Sequence, residues 1–483
     1  MFASTYNKQK LFFYLYGLAG VFCVLAAFYF KEKALAVVPL TLVVMVWGII
    51  NFKSLYFFLL ALIPLSIEVD VANGLGTDLP TEPLMIVFMC LALFYGITNL
   101  KKVDFSIFKN PLIILLILHV FWMFISTLFS TVPLFSVKFL LAKLWYISAF
   151  LIVTLIVVKN EKDLKTAFWC IFIPLVFTIF IALFRHALTG FDFTMINKSL
   201  YPFYRNHVNY AALLAVFLPF VFYATTWYKK FSFKYNVLIL SILLFIVATY
   251  FSYTRASYLA LIAMFGAYFI FKLKLAKYAV VFGVVLFIFI GIAISSQNKY
   301  LEFSPNTSTV SQEDLGSLMT STFKARDVSS MERIYRWLAA VEMIKEKPIV
   351  GFGPNGFVEN YKNFTFLKFR TWISTNEERS GVHNYFLMTA TEQGLIGLAL
   401  FLSLIFTIFI WGENLYHKTV KYKSLTMAVL VSFVAILINL FFSDMIEVDK
   451  TGSFFFLNIA LLVFVSRKLE NSEKHDTSIN NGR

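Results

Sequence analysis

The chain has 483 residues, of which 59% are hydrophobic and only 14% charged; an ordinary soluble domain is about 45–50% apolar and about 25% charged, so a water-soluble fold is excluded. A formal charge of +15 would suit a nucleic-acid binder, but the Lys and Arg residues fall in short clusters between apolar runs rather than in one basic domain. They are read as membrane topology, with membrane lipid and no nucleic acid as the expected surroundings.

At about 20 residues per crossing, the apolar content suffices for about fourteen helices. The apolar runs predict them near residues 11–30, 34–50, 54–68, 84–98, 111–129, 139–158 and 166–186. Seven more fall near 209–227, 237–253, 256–271, 278–296, 384–411, 426–442 and 453–466. The run from Leu11 to Phe30 is too long for a signal-peptide core, so the N-terminus is expected to stay attached. Cys23, Cys90 and Cys170 lie inside apolar runs without pairing or metal spacing and are read as packing residues.

Alternate breaks carry lysine: Lys8 and Lys10, Lys101 to Lys109, Lys159 to Lys165, Lys229 to Lys234, Lys272 to Lys277, Lys418 to Lys423, then Arg467 and Lys468. The positive-inside rule makes these breaks cytoplasmic, together with both termini. The other set faces outward: the acidic loop with Glu68, Asp70, Asp78 and Glu82, the loop 187–208, and the long segment 297–383. Lys31 and Lys33 are the exception to the bias.

Segment 297–383 is far longer than the usual bundle connection of about 2–8 residues, which marks it as a subdomain. Ser304 to Ser330 is polar and read as mobile. A helix follows, with Ile334, Trp337, Leu338, Val341 and Ile344 at helical spacing as its apolar stripe and Arg333 and Arg336 off it. The chain thus divides into helices 1–11 (residues 1–296), the loop subdomain (297–383), helices 12–14 (384–466) and a polar tail (467–483). The fold class is an all-α polytopic membrane protein.

Ten arginines are present, and eight of them, Arg185, Arg205, Arg255, Arg326, Arg333, Arg336, Arg370 and Arg379, fall on the outward set. Topology alone would not place arginine where basic residues are disfavoured. Guanidinium groups bind phosphates bidentately and stay charged, so an outward-facing anionic ligand is implied. The bland alternative is pairing with loop acids or lipid headgroups. It is weakest for Arg255, set in TyrThrArgAlaSer between two apolar runs. Lys138 and Lys143 are read as snorkelling side chains. GlyPheGlyProAsnGly, 351–356, fits a dinucleotide-binding string but follows a loop helix instead of a strand, and is set aside.

Residues 379–397 read ArgSerGlyValHisAsnTyrPheLeuMetThrAlaThrGluGlnGlyLeuIleGly. This stretch resembles the signature of the O-antigen ligase and O-antigen polymerase superfamily, which also includes protein O-oligosaccharyltransferases: a His-Asn pair before a helix carrying Glu, Gly and Gly, here His383, Asn384, Glu392, Gly394 and Gly397. Arg333 with Trp337, ProIleValGlyPheGlyPro at 348–354, Arg255 and Arg205 are similar to further family positions. The resemblance covers roughly residues 200–440 and implies a fold like that of type C glycosyltransferases, with a large periplasmic loop between helices 11 and 12.

It also implies a bacterial inner-membrane enzyme that moves a glycan from an undecaprenyl-diphosphate carrier to lipid A-core or another hydroxyl acceptor. His383 would be the general base, Arg205, Arg255 and Arg333 would bind the diphosphate, and Arg336, Glu392 and Asn384 would support them. No metal or other cofactor is expected. A lipid-linked oligosaccharide flippase is the rival from a different class; it predicts charges along a central cavity and no arginine-rich outer loop.

Overall fold

A computed structural model of the protein describes residues 21–23, 25, 34–72, 75–98, 105–295, 328–366 and 380–480. The expected first span at 11–30 lies almost wholly outside these residues, as do 304–327 of the polar stretch and Arg326, Arg370 and Arg379.

Helices α1 (Ala34–Ile50) and α2 (Phe52–Leu62) come first, then a hairpin of β1 (Ile67–Ala72) and β2 (Leu75–Leu79), then α3 (Thr81–Thr98) and α4 (Pro111–Leu128). Helix α5 (Pro133–Tyr146) continues through one wider turn to Val157. There follow α6 (Glu161–Ala187), the short α7 (Ile196–Leu200), α8 (His207–Thr225), α9 (Phe233–Tyr250), α10 (Arg255–Lys272) and α11 (Ala276–Ser295). After the undescribed stretch come α12 (Val328–Glu346), the single turn α13 (Phe357–Asn360), α14 (Tyr385–Lys418), α15 (Lys423–Leu440) and α16 (Asp449–Asn480). Among the described residues ten helices are long and apolar enough to cross a membrane, so the protein is an all-α polytopic membrane protein with one small hairpin.

Side-chain caps fix where several helices begin, in α6 and α8 ahead of what hydropathy alone predicts. Asn110, Asn160, Asn206 and Asn384 each accept a backbone N–H of the first turn, which satisfies one of the donors a helix start leaves free. The charged first turn of α6, with Glu161 and Asp163, therefore belongs to the helix. At the other extreme the expected span 54–68 stops at Leu62, because Pro64 enters a tight turn, and the acidic loop behind it pairs as β1–β2 with Glu68 opposite Asp78.

Helices α8, α15 and α16 form the centre: 72%, 67% and 83% of their most apolar stretches are buried inside the protein, against 28% for α3 and α10. Polar contacts tie the three together. Ser432 Oγ donates to the Val216 carbonyl (2.8 Å), and Asn458 Nδ2 donates to Ser432 Oγ (2.9 Å). Hydrogen bonds of this kind help hold helices together where apolar burial gives no advantage over lipid. Contacts also separate the two ends of the bundle. Lys421 pairs with Glu161 at 3.5 Å and His417 meets the Phe271 carbonyl, gathering the lysine-bearing ends. Arg205 pairs with Glu68, and Lys143 with Glu447, at the opposite end. Helix α14 runs from one end to the other.

Candidate active site

Helix α14 is broken near its start. Gly394 has φ +70° and ψ −179°, a backbone conformation open to glycine and strained for other residues. The break leaves main-chain groups that, in a membrane protein, must find partners inside the protein. The stretch 348–353 supplies most of them. Phe352 N–H donates to the Thr391 carbonyl (3.0 Å), Gly353 N–H to the Glu392 carbonyl (2.9 Å), and Leu395 N–H to the Pro348 carbonyl (2.7 Å). From α4, Ser126 Oγ donates to the Glu392 carbonyl and Trp122 Nε1 to that of Gln393, both at 2.8 Å. The chains approach so closely that a Cβ on Gly394 would sit 1.9 Å from the Ile349 carbonyl oxygen, and one on Gly351 2.4 Å from the Glu392 carbonyl carbon. The glycine string 351–356 is thus a docking strap for a broken helix.

Glu392 belongs to the same device. It is buried, and its Oε1 accepts the Phe357 N–H at 3.3 Å, which ties α13 to α14. Asn384 caps α14: its Oδ1 accepts the Leu387 N–H (3.0 Å) while its Nδ2 donates to the Phe441 carbonyl (3.2 Å).

His383 immediately precedes that cap with φ +57°, in the left-handed region where a non-glycine residue is uncommon and costs on the order of 1 kcal/mol or more. Two groups hold it there. The Asp444 carboxylate accepts its backbone N–H at 3.3 Å, and Arg336 Nη1 donates to the carbonyls of Ser380 (2.7 Å) and Gly381 (3.2 Å) just upstream. Burial, followed by the charges of Arg333 and Arg336, pushes the His383 imidazole down to about 4, so the ring is neutral at pH 7. Burial also raises the Asp444 carboxyl to about 7, against the lowering effect of the His383 N–H.

Helix α12 is turned otherwise than its apolar stripe predicts. Met331, Tyr335, Ala339, Ala340 and Met343 are buried, with Glu332 and Arg336 among them, whereas Val341 is 39% exposed and Ile334, Trp337 and Leu338 are half-buried. The small Ala339 and Ala340 allow close approach, and Arg336 is drawn inward by the carbonyls it binds and by Glu332 at 3.7 Å. Arg336→Lys retains the charge but not the planar guanidinium, whose Nη1 meets both carbonyls while its Nε faces Glu332. It is expected to destabilise the protein by about 1–3 kcal/mol, read by thermal unfolding; an unchanged midpoint would remove Arg336 as the anchor of 380–381.

The remaining arginines lie in a second group. Arg205 is an exposed partner of Glu68 at 3.2 Å and lines a cavity of about 170 Å³ together with Asn209, Glu447, Asp449 and Lys450. Arg255 is the first residue of α10, and the preceding Thr254 donates through Oγ1 to the His207 carbonyl at 3.2 Å, at the start of α8. Two helix N-termini, each with a guanidinium nearby, therefore stand side by side, an arrangement that favours an anion. The charges of Arg333 and Arg336 act on His383, and the Asp444–Glu447 turn connects their group to the cavity that Arg205 lines.

Several site residues escaped the sequence reading. Asp444 and Glu447 stand in the short break between α15 and α16, and Asp449 and Lys450 open α16; four charges within seven residues between two apolar runs were a usable signal. Asp449 accepts from Ser66 Oγ (2.6 Å) and Thr81 Oγ1 (2.8 Å). Burial, then the Asp449 charge, raises the nearby Asp78 carboxyl to about 8. Lys143 does not snorkel: it is buried, pairs with Glu447 at 2.6 Å and lies 5.9 Å from the Tyr385 ring, because a carboxylate within reach inside the protein outweighs the route to the surface. Among the described residues no three His, Cys, Asp or Glu side chains are grouped to hold a metal ion.

Residues 239–402 match the sequence family described as O-antigen ligase. That stretch takes in α10, α12, the docking strap and the broken start of α14. No curated protein matches the chain.

Proposed function

From the O-antigen ligase domain carried by residues 239–402, we propose that this membrane protein is a glycosyltransferase that moves a glycan from an undecaprenyl-diphosphate carrier to a hydroxyl acceptor, with lipid A-core as the leading acceptor. The chemistry would take place at the periplasmic face of a bacterial inner membrane, with both termini cytoplasmic and segment 297–383 forming the outer subdomain. The acceptor oxygen attacks the anomeric carbon of the donor sugar, its proton passes to the His383 imidazole, and the bond between that carbon and the diphosphate oxygen breaks. Arg205, Arg255 and Arg333 hold the departing diphosphate, an electrostatic role that needs fixed cations where charge develops. Arg336 and Asn384 position His383, and Glu392 fixes the strap behind it. The reaction as written needs no metal.

One observation carries this reading: a neutral, half-buried histidine is held in a strained backbone beside two guanidinium groups. Strain of this kind persists where the surroundings enforce it and is concentrated at active sites. A diphosphate docked against Arg333 would offset the second cause of the low imidazole pKa and leave burial, so donor binding would itself make His383 more basic.

The test is transfer by the purified protein from a labelled carrier-linked glycan, offered lipid A-core, a second carrier-linked repeat and a Ser/Thr peptide in parallel. Label in lipid A-core is the expected result; label in one of the others would reassign the acceptor, and label in none would reject glycosyl transfer. In the same assay Arg255→Lys should lose about ten- to a hundredfold in rate, since a charge-assisted bond contributes on the order of 1.5–3 kcal/mol and the fork geometry is lost. A fully active lysine variant would rule out bidentate recognition at that position.

A further inference from the structure

At the lysine-bearing end of the bundle, a full membrane crossing away from His383, an open groove of about 860 Å³ runs between α2, α6 and α9. Its wall follows one face of α6, where Lys162, Lys165, Trp169, Ile173 and Pro174 recur at helical spacing. That face changes along its length from charged to aromatic to apolar, over about 18 Å at 1.5 Å per residue. Ile173, at the apolar end, is 61% exposed.

The cations at the rim are not neutralised by carboxylates. Glu161 is engaged by Lys421 and Asp163 by Lys53, whereas Lys162, Lys165 and Lys234 have no ion-pair partner among the described residues. Lys165 lies 5.6 Å from the Trp227 ring and Lys234 5.5 Å from that of Tyr228, and Trp169 donates to the Tyr228 hydroxyl at 3.1 Å. Aromatic side chains of this kind sit at headgroup level. Lysines that served topology alone would need only water around them; these three ring the mouth of a groove whose floor is apolar.

We propose that this groove is a binding site for an anionic phospholipid, with the phosphate held among Lys162, Lys165 and Lys234 and an acyl chain lying along Ile173 and Pro174. Basic pockets between membrane helices recognise such headgroups through charge, with each cation contributing about a fivefold factor in affinity.

The purified full chain, delipidated in a neutral detergent, would be titrated with phosphatidylglycerol and with phosphatidylcholine, and bound lipid counted by native mass spectrometry. Phosphatidylglycerol is expected to bind the more tightly. The triple variant K162Q/K165Q/K234Q should lose on the order of a hundredfold in its affinity, while K272Q/K274Q/K277Q, at the same end but outside the groove, should retain it. Ile173→Trp, which fills the apolar part and keeps every charge, should also weaken binding and guards against a misfolded triple variant. Equal affinity for phosphatidylcholine, an equal loss in the K272Q/K274Q/K277Q control, or full competition by inorganic phosphate would each overturn the proposal.

Discussion

Replacing His383 with Ala is expected to lower glycan transfer by about a hundred- to ten-thousandfold, the range that a positioned general base contributes, while leaving the protein folded. His383 contributes its backbone N–H to Asp444, and alanine keeps that donor. The pH profile tests the proposal more closely. Only the neutral imidazole accepts a proton, so activity is lost as pH falls through its pKa. In the free protein that value is pushed down to about 4 by burial and then by Arg333 and Arg336, so the acid limb of kcat/KM attributable to His383 should lie well below the ordinary histidine value near 6.5. The limb of kcat, which reports the donor complex, should lie higher, because the bound diphosphate offsets the charge of Arg333. Asp444, raised to about 7, would contribute a separate limb that Asp444→Asn removes. Coincident His383 limbs near 6.5 in both profiles would show that the arginines do not act on the ring, and undiminished transfer by H383A would end its role as the base.

Gly394→Ala should be the most destructive small substitution in the site. Alanine would have to adopt φ +70°, which costs about 1 kcal/mol or more, and its Cβ would stand 1.9 Å from the Ile349 carbonyl oxygen. Relief requires the strap 348–353 to move away, breaking the bonds that Phe352, Gly353 and Leu395 make across the break. At about 1 kcal/mol for each bond, the total loss is expected to be about 3 kcal/mol or more, together with most of the activity. Thermal unfolding in detergent and protease cleavage within 348–353 would record it. Gly397→Ala is the control: its φ lies outside the left-handed region and its nearest neighbour is the Gln393 side chain, so the cost should be smaller. Wild-type stability for G394A would mean that the helix closes without the strap.

The membrane helices were legible because hydropathy reports directly on the solvent around them; the expected runs from 34–50 onward each overlap a helix, and among the described residues ten of those helices are long and apolar enough to cross a membrane. What hydropathy missed was set by polar detail. Asn160 starts α6 inside a charged break, and Pro64 cuts α2 short. The orientation of α12 was hidden for a different reason. Its bulkiest stripe predicts one buried face, but the buried face was chosen by Arg336 reaching two carbonyls. The motif residues His383, Asn384, Glu392 and Gly394 were visible as a string, yet their tasks depend on partners far away in the sequence. Asp444 and Glu447 went unseen because a short charged break looks the same whether it faces solvent or folds beneath a histidine.

The seam between α4 and α14 also bears on the order in which the protein is made. Ser126 must wait for partners 224 and 266 residues downstream, and Trp122 for one 271 residues downstream. During synthesis α4 enters the bilayer with both donors unanswered, long before the ribosome has reached Gln393. Most of the bundle is thus in place before the corner around the broken helix closes, and a chain arrested before α14 would have the scaffold without the candidate site.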